Sequence, residues 1–271
     1  MAEPATETAY AAPERDALLA TKLHLPRPRP EMVARPRLLV RLNEGMRREL
    51  VLVCTPAGFG KTTLLAEWAR GGDRPVAWLS LDEADNDPAR FWRHVAAALD
   101  PVRPEIAERV RALLGPPPLA SFEGLVIAFV NELAELAEEV ALILDDYHVI
   151  QSPAVHASVE LLLHHLPASL RLVLATRSDP PLPLARLRGR GQLTELREAD
   201  LRFSIEETAE LLQSLVGAQL PDTAVAALED RTEGWAAGLQ LAALSLQGTS
   251  DIGVRGRVLR QPPLCARLPD R

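Results

Sequence analysis

Cysteine is almost missing from this 271-residue chain: Cys54 and Cys265 are the only two, far apart and outside any Cys-x-x-Cys pair. That excludes a disulfide framework and a zinc knuckle, and it points to a reducing, cytoplasmic compartment. A chain this long buries roughly three quarters of its unfolded surface, so its core needs neither staple. No apolar run approaches the roughly 18 residues of a membrane span. The start, with Glu3, Glu7, Glu14 and several prolines, also lacks the basic and then apolar character of a secretion signal. Membrane insertion is therefore not expected. Basic residues are outnumbered 30 to 37, for a net charge of −7, so the chain does not coat nucleic acid through bulk charge. Lysine is the scarce member of the basic set: only Lys22 and Lys61 are lysines, and the rest are arginines. What is present, 25% charged and 47% apolar residues, is the composition of a soluble globular protein.

Residues 1–35 are rich in proline and alanine and run through Pro26-Arg27-Pro28-Arg29-Pro30, where missing backbone donors forbid a regular helix; they read as an extended arm. Pro36 suits a first helical position, and residues 37–42 have helical spacing. Glu49-Leu-Val-Leu-Val-Cys54 is too short for a stable helix and closes on a Gly/Pro loop, as a buried parallel strand does. From there strands are expected at 75–81, 139–145, 170–176 and 193–197, and helices at 62–70, 88–99, 103–114, 121–137, 153–166 and 183–190. This alternation means crossover connections and a mostly parallel sheet covered on both faces, an α/β fold over residues 36–200. Beyond residue 200 the strands stop. A capping box from Ser204 to Glu207 opens a helix at 204–216, Asp222 is placed to cap 221–230, and 234–246 completes a small all-helical lid over residues 201–247. Residues 248–271 carry five arginines without a helical or strand period and are expected to be disordered.

Thr55-Pro-Ala-Gly-Phe-Gly-Lys-Thr-Thr63 lies between a strand and a helix, the context in which a glycine-rich turn cradles phosphate. Pro56, Ala57, Gly58, Phe59 and Gly60 would form a turn whose backbone N–H groups converge with the helix N-terminus, extended by Thr63. Lys61 would reach the β- and γ-phosphates, and Thr62 would set its hydroxyl on Mg²⁺. Thr55 stands where the general pattern begins with glycine, so this first turn needs no positive φ. Ala141-Leu-Ile-Leu-Asp-Asp-Tyr-His148 is an apolar strand ending in two carboxylates, of which Asp145 could hold Mg²⁺ and Asp146 could polarise an attacking water. Arg177, at the tip of the strand from Arg171, could sense the γ-phosphate, with a surface pair to Asp179 as the rival role. His148 reads as a packing or capping residue. His164 and His165 are adjacent on a helix, face different directions and make no metal site. Trp68, Trp78, Trp92 and Trp235 read as core or domain contacts.

With these motifs placed, the sequence resembles the MalT-like STAND ATPases, signal-transduction NTPases at the front of large LuxR-type transcription activators. The resemblance covers about residues 20 to 247. It is carried by Lys22-Leu-His-Leu-Pro26, Val33-Ala-Arg-Pro-Arg-Leu38, the phosphate loop, Leu144-Asp-Asp-Tyr-His148, Ala175-Thr-Arg-Ser-Asp-Pro180 and Thr232-Glu-Gly-Trp-Ala-Ala-Gly-Leu-Gln240. Its most family-specific part is Trp78-Leu-Ser-Leu-Asp82 with Asp85-Asn-Asp-Pro-Ala-Arg-Phe91. The resemblance implies a P-loop NTPase of the AAA+/STAND kind that binds ATP or ADP with Mg²⁺ and acts as a switch: ADP holds a closed monomer, ATP favours self-association, and slow hydrolysis resets it. It also implies that residues around Val33 to Arg37, with Val33 and Arg37 singled out, line an adenine pocket and that the lid, with Gly234 and Trp235, covers the nucleotide. Where such regulators continue through a winged helix, a helical-repeat sensor and a DNA-binding helix-turn-helix, this sequence turns at Gly248 into an Arg/Pro-rich tail, which reads as a truncated or frame-shifted end. No direct DNA binding is then expected. Residues 193–201 open like a LuxR-type helix-turn-helix but lack its glycine turn and basic recognition helix. The other readings are a different P-loop ATPase, a small-molecule kinase with a lid drawn from Arg186, Arg188 and Arg190, or an inactive nucleotide-binding remnant.

Overall fold

The structure, a computed structural model, describes residues 19–28, 32–114, 122–136 and 138–247. Five strands, β1 (Leu50–Cys54), β2 (Val76–Ser80), β3 (Val140–Asp145), β4 (Leu170–Thr176) and β5 (Leu193–Leu196), form one sheet in the order β2-β3-β4-β1-β5. Every neighbouring pair is parallel. Helix α1 (Pro36–Gly45) precedes β1, and the helices between the strands are α2 (Lys61–Gly71), α3 (Pro88–Leu99), α4 (Pro104–Leu113), α5 (Phe122–Ala134), α6 (Pro153–His164) and α7 (Leu184–Gly189). Side chains alternate along each strand. Leu50, Leu52, Leu142, Leu144, Leu172 and Leu174 join one core with α3 to α6, while Val51, Val53, Ala141, Ile143, Val173 and Ala175 join another with α1 and α2. A parallel sheet between two helical layers has no wet face, which is why its strands read as unbroken apolar runs. In the first core Trp92 packs edge-on against Phe91 and Phe129 and donates its indole N–H to Ser158 Oγ at 3.1 Å. Trp68 and Trp78 belong to the second.

After β5 comes the four-residue helix α8 (Glu198–Leu201), so residues 193–201 are an edge strand and a single turn, not half of a helix-turn-helix. Helices α9 (Ile205–Val216), α10 (Asp222–Thr232) and α11 (Ala236–Gln247) then bury a third cluster that includes Leu212, Leu228, Leu239 and Ala243. The Ser204–Glu207 capping box is formed. Asp222 is not the cap of α10: Pro221, extended at φ −60° and ψ 144°, is the boundary residue, and Asp222 is the first helical one.

Of the arm expected at 1–35, the described residues 19–28 and 32–35 pack onto the domain, extended apart from one turn. Residues Ala20–Leu23 form a 3-10 turn packed on the outer edge of β2. There Lys22 is buried against Asp82 and Asp85. Val33 inserts into the lid cluster. Arg35 donates to Glu207 Oε2 at 3.1 Å and to the carbonyls of Leu201 and Arg202 at 2.8 Å, with its guanidinium over the Phe203 ring. Partners this distant in sequence leave no local periodicity, so the composition gives the extended character of the arm but not where it packs. Residues 1–18, the tail at 248–271 with Cys265, and the ends of the helix expected at 121–137 lie outside the described residues.

Candidate functional site

β1 delivers Thr55 to the carboxyl edge of the sheet, where its N–H bonds the carbonyl of Thr176 on β4 at 3.2 Å. Pro56, Ala57 and Gly58 turn outward, Phe59 returns to the core as an anchor, and Gly60 hands the chain to α2. Gly58 and Gly60 take φ values of 81° and 80°, where a Cβ is strained. Thr55 is not among the residues of positive φ, consistent with its replacing the glycine of the general pattern. Around Gly60 there is open space, whereas a Cβ at Gly58 would lie 2.7 Å from Trp235 Nε1 and 2.8 Å from Ala237 Cβ. The loop is therefore shaped by the lid as well as by its own backbone. Trp235 Nε1 donates to Ala57 O, and Ala237 N donates to Gly58 O, both at 3.0 Å. Lys61 is buried and donates to Thr55 O at 2.7 Å and Pro56 O at 2.9 Å. Burial lowers the pKa of its ammonium, with Asp146 opposing the shift and Arg177 adding to it.

Thr62 Oγ1 donates to Asp145 Oδ2 at 2.8 Å, while Asp145 Oδ1 is buried with no partner. Burial, then the neighbouring Asp146 charge, pushes the Asp145 carboxyl up to about 6 against the Thr62 hydrogen bond. A buried, unpaired carboxylate oxygen beside a hydroxyl is costly in isolation and is the kind of donor set a hard divalent cation takes. These residues fit Mg²⁺. Among the described residues no group of three or more His, Cys, Asp and Glu could hold a metal.

Asp146 takes left-handed backbone angles, φ 59° and ψ 37°, at a cost of about 1 kcal/mol for a residue with a side chain. The two adjacent acids thereby divide, Asp145 to Thr62 and Asp146 to the wall of the cavity. His148 Nδ1 lies 3.7 Å from Asp146 Oδ1 and is buried without a hydrogen bond. Burial and the Arg177 charge lower its pKa. The sequence reading gave His148 only a packing or capping role; in the fold it stands beside the acid. Arg177 lines the cavity and makes no hydrogen bond or ion pair among the described residues, because Asp179 pairs with Arg197 instead.

The cavity has a volume of about 430 Å³, within the roughly 300–1,000 Å³ of small-molecule sites. One end is polar: Ala57 to Thr63, Asp146 and Arg177. The other is largely apolar, with Met32 and Val33 from the arm, Leu64 from α2 and Phe203, Leu211 and Leu215 from the lid, and with Arg35, Glu67 and Gln240 as its polar groups. Arg37, expected in an adenine pocket, is not in this wall. Its guanidinium is half exposed and is held by Glu207 (2.8 and 3.0 Å) and the carbonyls of Asp200 and Arg202. Starting α1 at Pro36 sends Arg37 toward the lid backbone and leaves Arg35 facing the cavity. Pro56 is also outside the wall, its carbonyl taken by Lys61. Arg35 falls inside the stretch Val33 to Arg37 expected to line the base pocket, although its carbonyl partner Leu201 lies 166 positions away; Glu67 and Gln240 carried no such signal in the sequence.

Arg186, Arg188 and Arg190 cannot close over this cavity. They belong to α7 and the turn after it, whose Gln192 carbonyl accepts from Leu50 N at the start of β1, at the opposite edge of the sheet from the phosphate loop. Arg188 is paired there with Glu195, and Arg186 meets His164.

Among known proteins, the chain is 37% identical over 235 residues to the serine/threonine-protein kinase PknK of Mycobacterium tuberculosis, a match covering 86% of this chain and 21% of that protein. It is 37% identical over 228 residues to the HTH-type transcriptional regulator MalT of Yersinia enterocolitica, covering 84% of this chain and 25% of the regulator. The chain thus spans about a quarter or less of the length of these relatives. No protein-family model matches it. Of solved structures, a STAND protein with a tetratricopeptide-repeat sensor from Pyrococcus horikoshii superposes with a TM-score of 0.58 at 16% identity, covering 87% of this chain and 33% of that one. A Walker-type ATPase of Pyrococcus abyssi gives 0.55 at 15% identity, over 86% and 73%.

Proposed function

We propose that this chain, which belongs with the MalT-like STAND P-loop ATPases, is the ATP/ADP switch module of a transcription regulator, with slow hydrolysis as its reset. One observation carries this reading: Thr62 and Asp145 are hydrogen-bonded next to Lys61 at the polar end of a cavity whose far wall is apolar, with one buried Asp145 oxygen left unpaired. In the proposed complex the N–H groups of residues 57–62 bind the phosphates, and Lys61 exchanges the Thr55 and Pro56 carbonyls for β- and γ-oxygens. Thr62 and Asp145 hold Mg²⁺, which supplies charge neutralisation on the phosphate oxygens. Asp146 takes the proton of the attacking water as its oxygen bonds to the γ-phosphorus, and ADP leaves with the bridging electron pair. Arg177 senses the γ-phosphate. The base lies at the apolar end against Val33 and the lid, with Arg35 replacing Arg37 among the residues that build its wall.

Self-association in the ATP state, a cytoplasmic location and the division into arm, nucleotide domain and lid at residues 35, 200 and 247 belong to the same proposal. No helix among the described residues is long and apolar enough to cross a membrane. Calorimetric titration with Mg·ATP and Mg·ADP should show binding that Lys61→Ala abolishes. No heat of binding to well-folded protein removes the proposal, and steady turnover above roughly 1 s⁻¹, the ordinary enzyme range, removes the switch.

A further inference from the structure

In the most family-specific part of the sequence, the segment Asp82 to Phe91 lines no part of the cavity, yet it is built with unusual care. It follows β2, whose end lies beside the end of β3: Ser80 pairs with Asp145, and Leu81 N donates to Asp145 O at 3.0 Å. The turn after β2 therefore lies against the turn after β3, the one that carries Asp146. Within the first turn, Asp82 and Asp85 form a reciprocal capping box. Asp85 is fully buried between Lys22 and His94, and Asp87 caps α3 by accepting from Arg90 N at 2.8 Å. Asn86, thus fixed, spends its whole amide on bridging. Its Nδ2 donates to Glu83 O and Val149 O, both at 3.0 Å. Its Oδ1 accepts from Gln151 N at 2.6 Å and Ser152 N at 2.8 Å.

We infer that Asn86 is a positioning residue for Asp146, acting through the main chain of residues 149–152; this rests on the hydrolytic role proposed above for Asp146. The segment it grips starts at the left-handed Asp146 and ends at Ser152, the first boundary residue of α6. The Ser152 hydroxyl makes no capping bond, so the backbone entry to α6 depends on the Asn86 oxygen. A non-glycine residue stays in the left-handed region only where its surroundings over-determine it. Upstream, β3 supplies that constraint. Downstream, the turn bonds Val149 N to Asp146 O and Ile150 N to Tyr147 O, both 3.1 Å, tie Asp146 to the segment that Asn86 bridges, with the buried Tyr147, whose hydroxyl meets His156 Nδ1 at 3.0 Å, packed beneath it. Without the bridge the segment relaxes and the Asp146 carboxylate shifts, while Lys61, Thr62 and the lid keep their own bonds. A misplacement of about 1 Å can cost on the order of a hundredfold in rate.

Asn86→Ala in the full chain should lower kcat for Mg·ATP hydrolysis at least tenfold and leave the Kd for Mg·ADP within twofold. Hydrogen exchange at the Gln151 and Ser152 amides should speed up while that of the phosphate loop does not. A kcat within threefold of wild type, or kcat and ADP affinity falling together, overturns the inference. If Asn86→Ala does not fold, Asn86→Leu, which keeps the side-chain bulk but removes both the donors and the acceptor for Gln151 and Ser152, is judged by the same split. Wild-type protein that binds Mg·ADP but never hydrolyses ATP refutes the role of Asp146 instead. The bridge itself is then judged by the two amides, and unchanged exchange there refutes it.

Discussion

Asp145 offers a prediction whose size and sign both follow from its surroundings. Its carboxyl is raised from 3.8 to about 6, first by burial and then by Asp146. The native protein therefore keeps this proton to a higher pH than the unfolded chain, so the group costs stability as pH rises from about 4 to about 6.5. At about 1.4 kcal/mol per pK unit the loss comes to about 3 kcal/mol. Asp145→Asn removes the titration but leaves a buried amide in the same place, so its constant offset matters less than its slope. The assay is urea unfolding of wild type and variant, free of nucleotide and metal, from about pH 4 to pH 7.5. The stability of wild type minus that of the variant should fall by about 3 kcal/mol across the window. Added Mg·ADP should reverse the trend, because a cation there favours the ionised carboxylate. A difference that stays flat within about 1 kcal/mol, or that rises with pH without ligand, refutes the burial of an unpaired charge at Asp145.

Arg35→Ala should cost about 3 kcal/mol in urea unfolding because it strips a buried, hydrogen-bonded guanidinium from its partners. Arg37→Ala, half exposed, should cost under about 1 kcal/mol and leave ADP affinity within twofold. A larger affinity loss at Arg37 would restore it to the base pocket. Gly58→Ala should destabilise by about 1–3 kcal/mol through its positive φ and its clash with Trp235 and Ala237, and weaken ADP binding at least fivefold in calorimetry. Trp235→Phe keeps an aromatic ring, though a smaller one, and loses the hydrogen bond to Ala57 O; thermal melting should report a loss of at least about 1 kcal/mol. A melting profile matching wild type would show that this bond contributes nothing.

The elements that local patterns specify were legible in the sequence. All five strands were: β1 and β3 are buried along their whole length and read as apolar runs, and the edge strand β5, Leu-Thr-Glu-Leu and only partly buried, was placed by its position after α7. The Ser204–Glu207 box was too, since a capping box is a contact within four residues. What escaped was built from distant pairs. Arg35 and Arg37 differ by two positions and share the partner Glu207, yet one faces the cavity and the other is held, half exposed, on the lid backbone outside it; only the start of α1 at Pro36 decides which. Asp85, Asn86 and Asp87 read as a family signature with no visible task, because each side chain reaches a different element: the arm, the turn after β3, and α3. His148 looked like a cap because its approach to Asp146 depends on one left-handed residue that no periodicity reveals. The scarcity of lysine was informative in a way composition alone did not disclose. Both lysines are buried, Lys61 in the phosphate loop and Lys22 against Asp85.

That scarcity also permits the most direct test of nucleotide binding at this loop. An acyl-phosphate derivative of ATP, which acylates a lysine lying against bound phosphate, should be incubated with the folded chain and the product mapped by mass spectrometry. Lys61 should be labelled and protected by excess Mg·ADP, while Lys22 stays unmodified. Folded protein in which Lys61 is not labelled, or is labelled equally with and without ADP, would contradict a nucleotide site at residues 56–63.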